Sequence, residues 1–436
     1  MEDDCDSTLM WKSILKQMWN CKRSNSWIAI ELFLVFLLTW NIVDYLFVYG
    51  YNNSLPNYRN VENTLQIKLS VFDTSYPDYD TEAETPEVLE ANYSRILQTL
   101  RSYPGIEAVG ISFDGSTPGG GGFSGTTLYN TNTKDTLYAN AQIITIDPNE
   151  DYFKVFGVSM DNGKKKISTK DFNWSSNGIV INKLVADRLF PDGSAIGREL
   201  EDKKSYIVLG VIDDNKRFDY LRPQGYLYQT RKLDAGNLKN AEISVRYNSS
   251  LPEKKFLEQF KSDMSNSLQI GNFYLLSVIP YTKIGQDTKT RFGIDNNIRL
   301  RLYMAIFFLL CIFLCLIGTF WYRISLRHNE IGLRKAMGAT IMSIHYGLII
   351  EGIWLLLIAA LPAMLIEFQF VQADLIETLG RERMPDPRFI PDRPLLRFLI
   401  TNAITFVLIL TIIVSAIWLP ARKGALLVPA EALHCQ

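Results

Sequence analysis

Four transmembrane helices and one large α+β domain outside the membrane are the fold class that the sequence predicts, from three observations. Four apolar runs each reach the roughly 20 residues that a helix needs to cross a bilayer: 27–49, 302–322, 344–366 and 398–419. The long polar stretch 50–300 separates the first two runs and has strand and helix patterns of its own. The formal net charge of the 436 residues is only −1, so electrostatics predicts no nucleic-acid partner.

The N-terminal segment 1–26 is predicted to be cytoplasmic and to contain an amphipathic helix. Between residues 8 and 22, Leu9, Met10, Ile14 and Met18 share one face of a helix, as in helices that lie in the membrane interface. A plain juxtamembrane anchor is the alternative. The run 27–49 is too long for the core of a signal peptide and has no small-residue cleavage site after it, which predicts a signal anchor.

Basic residues predict the orientation of the four spans. Lysine and arginine are frequent before the first span, in 323–343 and in 420–436, and with four spans these segments share the cytoplasmic side. The segment 50–300 and the short loop 367–397 are then outside. The short loop runs against the rule, because it contains five arginines: Arg381, Arg383, Arg388, Arg393 and Arg397.

The outer segment repeats a β-α-β pattern. Strand-like alternation, a helix opened by a proline and a second strand occur in the first copy at 64–72, 86–102 and 106–113, and in the second at 241–248, 252–267 and 272–281. The repeat predicts a split ferredoxin-like part over 60–113 and 239–281. Between the copies, 114–238 is predicted to be an inserted, mostly-β lobe with strands at 125–131, 135–146, 178–182 and 205–212. Residues 282–301 are predicted to form a helical stalk.

No catalytic constellation stands out in the sequence. Residues 120–127 have the glycine spacing of a phosphate loop, but Thr126 occupies the position where lysine is required. Cys311 and Cys315 lie one helical turn apart within a span, a pattern that we interpret as packing. We therefore predict no catalytic residue, no metal site and no cofactor bound by this chain.

Glu351 is the intramembrane charge of most interest. A carboxylate at mid-bilayer costs about 2.5–3.5 kcal/mol on insertion scales, so it needs an explanation. A proton or substrate relay is one interpretation. A polar packing contact with a neighbouring helix is the other, and we favour it.

The loop at 327–339 is a short cationic segment between two spans, with the sequence RHNEIGLRKAMGA. Its EIGLRKAMGA part predicts a short helix with Ile331, Leu333, Ala336 and Met337 apolar, and Gly338 can end that helix. A solvated linker and a lipid-facing basic helix are alternatives. A compact helix of mixed apolar and charged character favours docking of a cytoplasmic protein.

Three parts of the chain carry a resemblance to a known family. The segment 327–339 resembles the stretch after the second span in permeases of the FtsX/MacB type of ABC transporter. The C-terminal LPARKGALLVPAEAL, 419–433, resembles the closing motif of that family. Residues 145–160, 180–200 and 206–214 are similar to the inserted lobe of its periplasmic core domain. The resemblance covers essentially the whole chain.

This resemblance implies a coupling site, partners and a location. In such permeases the helix between the second and third spans contacts the ATPase. That role would fall on Glu330, Ile331, Gly332, Leu333, Arg334, Lys335, Ala336, Met337, Gly338 and Ala339. The resemblance further implies a bacterial inner membrane, a periplasmic domain with a porter-like part, and a homodimer or a heterodimer with a similar permease. It also implies a periplasmic adaptor and an outer-membrane channel as partners in export.

One departure from the family bears on catalysis. MacB itself carries a fused N-terminal ATPase, whereas 26 residues precede the first span here and the sequence contains no Walker motif. We therefore expect a non-catalytic membrane subunit, with ATP and Mg bound by a separate cytoplasmic ABC ATPase.

The resemblance leaves several functions open. The leading hypothesis is export of a peptide, toxin or drug from the periplasm of a Gram-negative cell by mechanotransmission. The alternatives are lipoprotein release, as in Lol-like permeases, and FtsX-like regulation of a periplasmic hydrolase without transport. A sensor receptor is disfavoured because it would not explain the third and fourth spans.

Overall fold

The computed structural model describes residues 22–77, 79–119, 124–131, 136–202, 204–248, 252–326, 340–373, 375, 379 and 385–425. The chain divides into two compact units, a helical unit and a sheet unit. The sheet unit is formed mainly by Asn52–Ile294, and the helical unit by the segments on either side of it.

Among the residues that the structure describes, the helical unit contains four long helices, and the prediction of four apolar helices is confirmed. They are α1 (Lys22–Ser54), α7 (Ile294–Leu326), α8 (Ile341–Gln372) and α9 (Pro394–Ala425). All four are long and apolar enough to cross a membrane. At a rise of about 1.5 Å per residue, a helix of 32 or 33 residues exceeds the roughly 30 Å hydrocarbon core. The predicted amphipathic helix at 8–22 lies almost entirely outside the described residues.

One apolar core holds the four long helices together. Its fully buried members include Phe36 on α1, Ile312 on α7, Leu356 on α8 and Ile413 on α9. Their side chains meet inside the bundle, so each helix buries one stripe and exposes the rest of its apolar surface. That exposed apolar surface is what a bilayer, rather than water, would cover.

In its described residues, the sheet unit contains one ten-stranded sheet and five shorter α-helices. The strands of the large sheet are β1 (Thr64–Val71), β2 (Ile106–Phe113), β3 (Gly125–Asn130), β4 (Leu137–Ile146), β7 (Gly178–Asn182), β8 (Glu199–Glu201), β9 (Ser205–Ile212), β10 (Tyr226–Thr230), β11 (Ala241–Tyr247) and β12 (Phe273–Pro280). A two-stranded ribbon joins β5 (Ser159–Met160) to β6 (Lys165–Lys166). The helices are α2 (Pro86–Ser102), α3 (Tyr152–Val155), α4 (Lys183–Leu189), α5 (Glu253–Ser267) and α6 (Tyr281–Arg291).

The two predicted β-α-β copies meet in the same part of the sheet. Their strands lie in the order β2-β11-β1-β12, and each neighbouring pair is antiparallel. Ile96 on α2 and Phe260 on α5 share one buried cluster with Leu65 and Val245 of the sheet. The two helices therefore cover one face of these four strands. The name ferredoxin-like for this arrangement stays a prediction.

The strands of the predicted inserted lobe close on themselves. The order β10-β7-β9-β8-β3-β4 is completed by a parallel pairing of β10 with β4, so each of these six strands has a partner on both sides. Leu128, Ile181, Val208 and Leu227 are fully or almost fully buried inside the closed set. Closure removes the free strand edges at which other chains could pair. The predicted large extramembrane domain is confirmed and is mostly β in its described residues, and the bounds 114–238 of the inserted lobe stay a prediction.

The segment predicted as a stalk contains a helix break. Helix α6 ends at Arg291 and α7 begins at Ile294, with Gly293 between them at φ 66°. A left-handed backbone is readily available to glycine, which has no Cβ to clash. The stalk over 282–301 is therefore two helices joined at Gly293, and its mechanical role stays a prediction.

Candidate functional site

The predicted ATPase-coupling segment joins α7 to α8. Helix α7 ends at Leu326 and α8 begins at Ile341. The hydroxyl oxygen of Thr340 accepts a hydrogen bond from the Ser343 N–H at 3.3 Å, which caps the first turn of α8. Glu330–Ala339 lie between these ends, outside the described residues, so their docking role stays a prediction.

Glu351 lies inside the helical unit, with 4% of its surface exposed. The next residue, Gly352, marks a close approach of α8 to α9. A Cβ at that position would lie 2.7 Å from Ile417 Cδ1 and 2.8 Å from Ile413 Cγ2. Both the packing and the relay interpretation of Glu351 require a buried carboxyl, and both stay predictions.

A buried ion pair joins α1 to α9. Arg397 Nε donates to Asp44 Oδ1 at 2.8 Å, and Nη2 donates to Oδ2 of the same carboxylate. The side chains of Arg397 and Asp44 are only 13% and 2% exposed. A two-point guanidinium–carboxylate contact fixes direction as well as distance, so it defines how these two helices meet.

A second polar contact reinforces the same helix pair one turn away. Trp40 Nε1 donates to Thr401 Oγ1 at 2.9 Å, and both residues are buried. The Trp40 ring also meets the edge of Phe398, with centroids 6.3 Å apart. Indole N–H groups buried in an apolar bundle need such an acceptor, so this bond contributes to the specific pairing of α1 with α9.

Glu367 on α8 is fully buried beside this pair. Neither of its carboxylate oxygens has a hydrogen-bond partner within the part of the chain that the structure describes. Asn402 on α9 and Asp44 on α1 lie near this carboxyl group. We use the name polar cluster for Asp44, Glu367, Arg397, Thr401 and Asn402.

The two cysteines predicted to pack within a span have different surroundings. Cys311 is exposed, whereas Cys315 is partly buried. Cys315 Sγ donates to Glu31 Oε2 on α1 at 2.8 Å. The two thiols therefore lie in different environments, and Cys315 contributes a polar contact between α1 and α7.

In the sheet unit, a buried lysine binds the backbone of Asn52, a residue of the same unit. Lys216 is 2% exposed, and its Nζ donates to the carbonyl oxygen of Asn52 at 2.7 Å. Arg59 Nη2 donates to the carbonyl oxygen of Lys216 at 2.6 Å, and Asn52 Nδ2 donates to that of Tyr220 at 3.2 Å. Burial lowers the pKa of the Lys216 ammonium, and the nearby Asp219 opposes that shift. A positive charge near the unpaired carbonyl groups at a helix C-terminus is electrostatically favourable. The loop 215–220 therefore stabilises the position of Asn52, the first residue of the sheet unit.

Sequence reasoning missed the polar cluster and the Lys216 contact. Arg397 was assigned to an outer loop and Glu367 to the same loop, whereas both lie within helices. A carboxylate and an arginine at the ends of two apolar runs were the available signal. Lys216 gave no signal, because one lysine in a polar loop looks like any solvated residue.

Comparison with known proteins agrees with the resemblance found in the sequence. Residues 46–262 match the family model of the MacB-like periplasmic core domain. The chain is also 30% identical over 99 residues to the uncharacterized ABC transporter permease YvrN of Bacillus subtilis. That match covers 21% of this chain and 23% of the length of YvrN.

Two solved structures are similar to the extramembrane part. The periplasmic region of MacB from Actinobacillus actinomycetemcomitans has 14% sequence identity and a TM-score of 0.30, with 53% of this chain and 94% of that chain covered. The extracellular domain of the noncanonic ABC-type transporter YknZ from Gram-positive bacteria has 16% identity and a TM-score of 0.29, with 49% and 100% covered. At these values the two structures carry no conclusion about activity. The family-model match confirms the predicted resemblance and identifies the extramembrane part as a MacB-like periplasmic core domain.

Proposed function

We propose, from the premise that this chain is a permease of the FtsX/MacB type, that it is the membrane subunit of an ABC transporter that exports a peptide, toxin or drug from the periplasm. A separate ATPase in the cytoplasm would hydrolyse ATP with Mg, and this chain would convert the resulting motion into movement of the periplasmic core domain. The observation that carries the proposal is the match of residues 46–262 to that domain, inserted between the first two of four helices.

Chain connectivity supports a mechanical role. The core domain is continuous in sequence with α1 at one end and, through α6 and Gly293, with α7 at the other. We propose that movement of α1 against α7 is passed to the domain through these connections. The polar contacts of α1 with α7 and α9 fix directions within the helical unit, as rigid parts of a lever require.

The remaining parts of the assembly belong to the same proposal. The permease would work as a homodimer or a heterodimer with a similar permease, in a bacterial inner membrane with the core domain in the periplasm. An adaptor and an outer-membrane channel would complete the export path. The order β2-β11-β1-β12 supports a porter-like, ferredoxin-like description of the split part.

The coupling segment gives the direct test. Replacing Glu330 and Arg334 by alanine is expected to lower the amount of ATPase that co-purifies with the permease by about tenfold or more. Truncating an interface anchor costs about 1 kcal/mol or more of binding free energy, and the fold-changes in affinity from two such truncations multiply. Arg327→Ala is the matched control, since it removes a charge from the same loop but lies outside the predicted helix. The measurement is affinity purification of the complex followed by its ATPase rate.

The outcome separates coupling from folding. The double variant must insert and keep the thermal unfolding midpoint of the unaltered protein in detergent. Unchanged co-purification together with unchanged cargo-stimulated ATP turnover would contradict the assignment of Glu330–Ala339 as the coupling segment.

Topology is tested by cysteine labelling in a background without the five native cysteines. Asp161 lies in the domain and could carry the label, but its φ of 57° means that a cysteine at this position would have a strained backbone. Lys164 is exposed in the same turn and is the better site. A membrane-impermeant maleimide is expected to label Lys164→Cys in intact spheroplasts. Labelling that appears only after the membrane is opened would reverse the proposed orientation.

A further inference from the structure

The sheet opens between two strands of the core domain. The ladder between β1 and β11 ends at the pair Ile67↔Ile243. Strand β1 nevertheless continues to Val71, and β11 begins at Ala241, two residues before that last pair. On its other side, β1 stays paired with β12 as far as Val71↔Phe273. We call the gap between the diverging parts of β1 and β11 the strand cleft.

One edge of β1 faces the strand cleft without a strand beside it. The Phe72 N–H donates to the Asn272 carbonyl oxygen at 2.9 Å, which places Phe72 on the edge that β12 occupies. Successive backbone groups of an extended strand alternate between its two edges. Leu69 and Val71 therefore direct their N–H and C=O groups toward the cleft. In the described residues, β11 forms no ladder pair with either.

The strand cleft leads into a cavity of about 620 Å³. This volume is within the range of roughly 300–1,000 Å³ that small-molecule sites occupy. Leu89 and Tyr93 of α2 and Leu238 line it, together with Leu69 of β1. An apolar side chain that entered between the strands would contact these residues.

The mouth of the strand cleft exposes apolar and aromatic side chains. Val71 is 38% exposed and Leu276 is 58% exposed. The Phe72 ring stacks between Tyr76, with centroids 4.5 Å apart, and Tyr274, with centroids 4.8 Å apart. Tyr76 is 46% exposed, so the stack offers an aromatic surface to an apolar or aromatic side chain next to the strand edge.

Charged groups in the lining favour a ligand that carries a basic group. The lining contains three carboxylates and two ammonium groups, on Asp73, Glu84, Glu242, Lys68 and Lys239. Glu242 Oε2 is buried and has no hydrogen-bond partner among the described residues. Burial raises the pKa of the Glu242 carboxyl, and a hydrogen bond with Thr117 and the charge of Lys68 oppose that shift. An incoming N–H or ammonium group would supply the missing donor for Oε2.

We infer that the strand cleft binds an extended peptide segment with apolar and basic side chains, which pairs with the open edge of β1. Backbone pairing explains affinity without a fixed sequence, because every peptide offers the same donors and acceptors. The cavity and the orphan Glu242 oxygen would select the side chains. As a statement about cargo, this inference rests on the proposed export function and chooses peptide from the three cargo classes named there.

The first test measures peptide binding to the full chain in detergent. The probe is a fluorescein-labelled hexapeptide of alternating valine and lysine, followed by fluorescence anisotropy. A matched probe has the same sequence with every second backbone nitrogen methylated, which removes the donors for one strand edge. The unmodified probe is expected to bind at least about tenfold more tightly, the equivalent of roughly 1.4 kcal/mol. Absence of binding, or equal binding of the two probes, would overturn the inference.

Two variants locate the bound probe. Ala241→Trp fills the gap beside β11 and is expected to weaken binding about tenfold or more. Leu276→Asp changes the exposed mouth without touching the core, so it is expected to weaken binding while the protein stays folded. Tyr138→Trp, at a half-exposed position on β4, is the control and should leave binding unchanged. Binding that persists in both cleft variants would exclude this site.

Hydrogen exchange gives a readout at the strand edge itself. Amides in 68–72 are expected to exchange more slowly when the unmodified probe is present, and to be unaffected by the methylated one. Unchanged exchange in this segment despite binding would overturn the inference. The outcome is independent of the coupling test, since loss of ATPase co-purification in the Glu330 and Arg334 variant leaves peptide binding to the domain intact.

Discussion

Replacing Arg397 by leucine is expected to destabilise the helical unit by about 3–5 kcal/mol. The change leaves the carboxylate of Asp44, whose side chain is 2% exposed, without its two charge-assisted hydrogen bonds. An uncompensated buried charge costs more than the pair contributes, because desolvation is no longer offset. The measurement is the free energy of unfolding in mixed micelles by denaturant titration.

Two further variants separate the charge from the side-chain volume. Arg393→Leu makes the same substitution at an exposed position directly before α9 and is expected to change stability by less than about 0.5 kcal/mol. Adding Asp44→Asn to Arg397→Leu removes the orphan charge and should recover part of the loss, which a double-mutant cycle quantifies. A loss below about 1 kcal/mol for Arg397→Leu would show that the ion pair is not a stabilising contact.

Gly225→Val is expected to prevent closure of the six-stranded set and to cost about 3 kcal/mol or more, at the upper end of overpacking effects. A Cβ on Gly225 would lie 2.2 Å from the carbonyl oxygen of Asn140 and 2.9 Å from Val185 Cγ2. The first of these atoms is backbone and cannot rotate away. The carbonyl oxygen of Gly225 accepts a hydrogen bond from the Gln142 N–H at 2.7 Å, so a shift of the backbone at Gly225 also disrupts the contact between β4 and β10.

The control for this prediction lies in the same unit. Gly285→Ala on α6 adds a methyl group where no atom lies within 4 Å, so it should be neutral or slightly stabilising. Limited proteolysis and the thermal unfolding midpoint of the full chain distinguish the two variants. Equal protease resistance of Gly225→Val and the unaltered chain would contradict the close contact at Asn140.

The arginine-rich segment 367–397 shows a limit of the positive-inside rule. The positive-inside rule counts charges, and five arginines in 367–397 opposed the predicted orientation. In the structure, Arg397 belongs to α9 and is paired with Asp44, and Arg388 Nη2 donates to Asp386 Oδ2 at 2.8 Å. At least these two are structural arginines held by carboxylates, which a count along the chain cannot reveal.

Glu367 shows that the burial of an acidic residue is also hard to predict from local sequence. In the sequence it follows an apolar run and looks like the first residue of a loop, whereas α8 continues to Gln372 and buries it fully. Helix ends are set by packing and by hydrogen bonds that local composition does not encode. The carboxyl and its neighbour Asn402 are therefore visible only when α8 and α9 are placed together.

The extramembrane domain was predicted well at the level of elements. Alternation predicted a strand over 106–113 at the residues where β2 lies, and Pro86 predicted the first residue of α2. The parallel pairing of β10 with β4 was not predictable in this way. It joins residues that are more than 80 positions apart, such as Tyr226 and Gln142, and no local pattern registers that contact.

Local periodicity and contiguous motifs are sufficient to predict the four spans, most of the strands, the split β-α-β repeat and the family resemblance. The polar cluster, the closure of the six strands, the contact of Lys216 with Asn52 and the opening between β1 and β11 become visible only in the folded chain. These four features depend on which distant side chains and strand edges find or lack a partner. That choice is made by packing of the whole chain, whose contacts follow distance in space and not position in sequence.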